Sequence, residues 1–134
     1  MKLGVVLLMS SMIGKIVITL FPYYDHKQHR YGYKARPALV IGKFPYEDDE
    51  YVVLPIATLK RKEFYHPLYD YAIDPNDYQD LGLKEYCFIR CHKQTTINKA
   101  MIGKIIGDLK RDHNDIYRHV IYRMKEYDRY KLMM

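Results

Sequence analysis

Short runs of β-branched and aliphatic residues, each ended by proline, glycine or a polar cluster, constrain this chain most. Residues 14–21 (Gly-Lys-Ile-Val-Ile-Thr-Leu-Phe) close at Pro22, residues 36–42 (Arg-Pro-Ala-Leu-Val-Ile-Gly) carry Pro37 at their start, and residues 50–57 (Glu-Tyr-Val-Val-Leu-Pro-Ile-Ala) form a third run. Such runs favour strands, and Pro37 must sit near a strand's beginning because it cannot donate to a ladder. Residues 70–74 read as a short strand before the turn signal Pro75-Asn76-Asp77, and residues 85–92 and 94–97 as two more. Helical periodicity is confined to the end. Met101, Ile102, Ile105, Ile106 and Leu109 are spaced for a helix capped by Asn98, and Ile116, Val120, Met124 and Tyr127 form the stripe of a longer helix from a cap at Asn114. The pattern is a mainly β, α+β chain with C-terminal helices. Short strands with irregular connections imply a small, strongly bent antiparallel sheet or partly closed barrel.

At 134 residues, 49% of them hydrophobic, the chain is expected to form one domain over residues 1–134 with a real core. Residues 13–110 supply the barrel and residues 114–133 the last helix. Residues 1–12 faintly resemble a signal peptide, but with Lys2 as the only basic residue and a strand pattern directly after, they read as an extension of a cytoplasmic protein, with Met12 an alternative start. No apolar run suffices to span a bilayer. The net charge of +6 suits a polyanionic partner, nucleic acid or an acidic protein, and the 15 tyrosines can stack on bases or form an interface. Cys87 and Cys91 are too far apart along a strand to bond, lack a zinc spacing, and read as small buried hydrophobes in a reducing compartment. No metal or cofactor is expected. The polar, basic and aromatic segment 22–34 reads as a long loop, and the acidic run 47–50 as a solvated hairpin tip.

The run Glu85-Tyr-Cys-Phe-Ile-Arg-Cys-His92 carries the chemistry. In a strand, side chains alternate between faces. Cys87, Ile89 and Cys91 then face the core, while Phe88, Arg90 and His92 share a wet face. An arginine beside a histidine offers a fixed cation next to a group that exchanges protons near neutral pH. Attack on a phosphodiester needs both.

Gly14-Lys-Ile-Val, Arg36-Pro-Ala-Leu-Val-Ile, Val52-Val-Leu-Pro-Ile and Ile89-Arg-Cys-His-Lys-Gln-Thr-Thr-Ile-Asn98 occur in the order found in MazF/PemK-type toxins. The chain resembles that family over about residues 13–110. The resemblance implies an SH3-like, strongly twisted antiparallel barrel with a short helix and a longer C-terminal helix, as a homodimer. It implies metal-independent cleavage of single-stranded RNA and an acidic antitoxin that blocks the site. RNA brings its own nucleophile, the 2′-hydroxyl, so products would carry 2′,3′-cyclic phosphate and 5′-hydroxyl ends.

By the same resemblance, Arg36 holds the scissile phosphate and Arg90 matches a catalytic arginine of the PemK-like branch. His92 stands where that branch can carry an aspartate, and is expected to act as general base. The family often has threonine directly after the third strand's Pro-Ile pair. Ala57 stands there, so Thr58 reaches the site if the strand bulges and misses it if the strand is plain. Tyr24, His26, Lys27, Gln28, His29 and Arg30 in the first loop, with Lys93, are candidate RNA contacts. Two rival readings share the fold: a non-enzymatic toxin that binds a protein target such as DNA gyrase, and a degenerate relative that binds RNA without turning it over.

Overall fold

The structure, a computed structural model, describes residues 12–44, 49–59 and 64–133. The strands are β1 (Lys15–Asp25), β2 (Arg30–Lys43), β3 (Glu50–Ala57), β4 (Asp70–Ile73), β5 (Cys87–Arg90), β6 (Thr95–Asn98) and β7 (Ile102–Asp108), followed by α1 (Leu109–Asp112) and α2 (Asn114–Leu132). All pair antiparallel in the order β4-β5-β3-β2-β1-β7, and β6 adds to β3. Strand β3 divides its partners: its first half pairs β6, while Ile56 and Ala57 pair Ile89 and Phe88 of β5. Register shifts at Val40/Gly42 and in the β1–β7 ladder add local twist. The result is a strongly curled antiparallel sheet backed by a long helix, as expected.

Both faces of the central strands are buried, which is why their sequences run apolar without alternation. Ile16, Leu39, Leu54, Ile56 and Ile89 face a core closed by Leu109, Ile116, Tyr117 and Val120. Val17, Ala38, Val40, Tyr51, Val53 and Ile97 form a second core on the other face. The α2 stripe holds as expected, with Ile116 and Val120 buried and Met124 packed against them.

Four expectations are corrected. Residues 22–34 are not a loop: β1 and β2 run on as a hairpin to Asp25 and Arg30. Asp25 Oδ1 accepts from the Lys27 and Gln28 N–H groups at 2.9 and 3.2 Å, and His29 takes φ 53° to close the turn. This arm is exposed on both faces, with Tyr31 74% and Tyr33 59% accessible, so no apolar alternation marked it. Residues 98–109 are not one helix. The Asn98 side chain does cap, accepting from the Ala100 N–H, but only for the 3-10 turn Lys99–Met101, after which β7 pairs β1. Gly107 and Gly82 make that path possible: a Cβ on Gly107 would lie 2.9 Å from Leu81 Cα, and one on Gly82, at φ +68°, 2.7 Å from the Ile106 carbonyl oxygen. The α2 cap is His113, not Asn114. Finally, β5 stops at Arg90, so His92 lies in a turn closed by Lys93 N–H on the Arg90 carbonyl at 3.1 Å. The acidic tip falls largely in 45–48, outside the described residues.

Candidate active site

Strand β5 alternates as its sequence demands: Cys87 and Ile89 are buried, Phe88 and Arg90 half-buried. The Phe88/Arg90 face is not wet, however. Tyr65 and Tyr86 cover Phe88 with ring centroids at 5.0 and 5.5 Å, and the Arg90 side chain keeps only 20% exposure. The β4–β5 register sets Asp70 directly opposite Arg90. Arg90 Nε donates to Asp70 Oδ1 at 3.0 Å, and Nη2 to the Phe64 carbonyl at 3.1 Å. The Asp70 side chain is wholly buried, so this pair is shielded from solvent screening.

His92 folds back from the turn to this pair. Its Nε2 lies 3.4 Å from Arg90 Nη2. A guanidinium only donates, so this contact is a hydrogen bond in the tautomer that keeps the lone pair on Nε2 and the proton on Nδ1. That Nδ1 is buried without a hydrogen-bond partner, 3.8 Å from Asp70 Oδ1. Burial pushes the His92 pKa below its usual value; Asp70 opposes the shift, and Arg90 reinforces it. His92 is therefore neutral at physiological pH. His66, Tyr69 and Tyr127 of α2 pack around its ring at 5.3–6.1 Å between centroids.

Arg36 and Thr58 stand elsewhere, together. Both line a cavity of about 650 Å³ where β2 leaves the arm and β3 ends. Thr58 lies just past β3, so the chain's exit from the sheet, not a bulge, brings it there. Lys84 and Glu85 line the same cavity. Cys87 lines the cavity too, but burial pushes its pKa up to about 11, which keeps it a thiol. Phe64 joins the two groups, lining the cavity while its carbonyl accepts from Arg90. The structure thus pairs Arg36 with Thr58 and Arg90 with His92, in adjoining clusters.

Tyr24, His26, Lys27, Gln28, His29 and Arg30 gather at the tip of the β1–β2 arm. The Tyr24 ring meets Tyr31 edge-on at 5.3 Å, and the Lys34 ammonium lies 4.5 Å over Tyr23. Lys93 is exposed in the turn after His92. Asp70, Phe64, Lys84 and Glu85 escaped the sequence reading. Asp70 carries no local signal, because its partner is 20 positions away and only the strand register joins them.

Among the described residues, no group of three or more His, Cys, Asp or Glu side chains is placed to hold a metal ion, and no helix is long and apolar enough to cross a membrane. A comparison with curated proteins gives no match. Among solved structures, the fold is similar to Mycobacterium tuberculosis toxin MazF-mt6, with a TM-score of 0.54 and 21% identity over 84% of this chain and 96% of that one. Residues 13–123 match the family described as PemK-like, MazF-like toxin of type II toxin-antitoxin system. With that match spanning both clusters and most of α2, the chain belongs to the MazF/PemK-like toxin family.

Proposed function

We propose that this toxin is an endoribonuclease that cleaves single-stranded RNA through 2′-hydroxyl attack, leaving 2′,3′-cyclic phosphate and 5′-hydroxyl ends, and is held inactive by an acidic antitoxin. The observation that carries this reading is the shared cavity of Arg36 and Thr58, whose wall residue Phe64 is gripped by Arg90. Arg36 is exposed at the cavity and presents a donor fork to phosphate oxygens. Thr58 supplies a hydroxyl beside it. Arg90 adds charge from the neighbouring strand as the pentacoordinate phosphate forms.

His92 is neutral, as a general base must be, but its Nε2 is occupied by Arg90. Taking the 2′-hydroxyl proton requires the His92 ring to leave Nη2 and free that lone pair, while Asp70 and the Phe64 carbonyl keep their hold on the guanidinium; the proton is then returned to the departing 5′-oxygen. The hairpin arm offers cations and rings to the RNA backbone and bases flanking the cut.

One observation favours a second reading, RNA binding without turnover: Arg90 and His92 are both tied into the Asp70 cluster. Incubating the protein with mixed single-stranded RNA and a chelator separates the two. Cyclic phosphate ends support cleavage; tight binding with intact RNA supports the second reading; neither result removes both and leaves a toxin acting on a protein.

A further inference from the structure

We infer that Asp70 is a positioning residue for Arg90, fixing one edge of the guanidinium so that Nη1 alone is left to meet the phosphate; this rests on the endoribonuclease reading. The guanidinium has five N–H groups on three nitrogens. Nε is committed to Asp70 Oδ1 at 3.0 Å. Nη2 is shared between the Phe64 carbonyl at 3.1 Å, His92 Nε2 at 3.4 Å and Asp70 Oδ2 at 3.5 Å. Among the described residues, Nη1 has no partner. A plane held along its Nε–Nη2 edge cannot rotate, so the direction of the two Nη1 N–H groups is set before substrate arrives. That is the preorganisation that makes a charge effective in a transition state.

Asp70 is itself held from three sides. Its Oδ2 accepts the His66 N–H at 2.7 Å, its backbone N–H donates to the His66 carbonyl at 2.8 Å, and Arg123 Nη1 of α2 donates to its carbonyl at 2.9 Å. The brace therefore runs from α2 through β4 to Arg90 on β5. A long lysine in place of Arg90 could neutralise Asp70 but not present a second, oriented donor pair.

The test compares wild type, Asp70→Asn, Asp70→Glu, Arg90→Lys and the double variant Asp70→Asn with Arg90→Lys, each checked for native circular dichroism. At saturating single-stranded RNA, Asp70→Asn is expected to lower kcat by roughly 10- to 100-fold, the size of a misaligned group, with KM little changed. Asp70→Glu should recover part of it, and the double variant should be no slower than Arg90→Lys alone. Wild-type kcat in Asp70→Asn, or losses that multiply in the double variant, overturns the proposal while leaving the endoribonuclease reading intact.

A second measurement needs neither turnover nor a variant. In wild-type protein labelled with 15N-arginine, the Arg90 Nε–H should exchange slowly with solvent, before and after addition of an RNA bearing 2′-deoxy sugars. Rapid exchange overturns the brace even if the protein cuts no RNA, and slow exchange with no cleavage shows that only the nuclease reading has failed.

Discussion

Arg36 and Arg90 look equivalent as sequence, but substitution should affect them differently. Arg36 is exposed and has no ion-pair partner among the described residues. Arg36→Ala should therefore leave the thermal midpoint unchanged while lowering kcat/KM about 100-fold, the scale of one lost electrostatic contact to the transition state. Arg90→Ala strips the buried Asp70 carboxylate of its countercharge. It should cost about 3 kcal/mol of stability, read by urea titration, because an uncompensated charge stays inside. Loss of activity in that variant would confound chemistry with unfolding, so Arg36 is the cleaner probe. His92 adds a pH dependence whose sign follows from burial. Its folded pKa lies below the ordinary 6.5, so the unfolded chain binds the proton more readily. Its contribution to stability is full above pH 6.5 and is lost as pH falls towards the folded pKa. Thermal melts should show a decline below that point, and His92→Gln should flatten it. Arg90 and His92 stood out in the sequence by their spacing, and Arg36 only through the family resemblance. That the His92 ring folds back onto Arg90 was not legible, because the strand ends two residues before it and simple alternation no longer holds.

The same limit operates for whole elements. Central strands were legible because burial on both faces leaves continuous Val, Ile and Leu runs. The arm of β1 and β2 was not, since neither face of it packs on a core and its tyrosines give no period. Nor was β7: Ile102, Ile105 and Ile106 fit a helix in spacing, and the choice of strand is made by pairing with β1 and by the close approach of Gly107 to Leu81. Gly82→Ala tests that packing, since it places a Cβ 2.7 Å from the Ile106 carbonyl oxygen at a positive φ. It should destabilise the fold by about 2 kcal/mol, seen as a lower urea midpoint with an unchanged slope. The arm carries His26, Lys27, His29 and Arg30 at its tip, and if it tracks the RNA backbone, replacing Lys27 and Arg30 by Gln should lower the salt slope of RNA affinity by about 2. An unchanged slope would move the RNA path off the arm.

At the scale of the molecule, one curled sheet and one long helix place two basic clusters side by side, and β3 is the strand that makes this possible. Its first half pairs β6, its end pairs β5, and the chain then leaves the sheet at Thr58 to enter the cavity wall. The family relation extends the proposal to assembly: light scattering should give twice the 16.1 kDa chain mass. The nuclease claim itself is tested most directly by end analysis of single-stranded RNA incubated with wild type and Arg36→Ala in excess chelator. Wild type should generate 2′,3′-cyclic phosphate and 5′-hydroxyl ends that Arg36→Ala does not. Intact RNA with the folded wild-type protein, or equal cleavage by both, would contradict it.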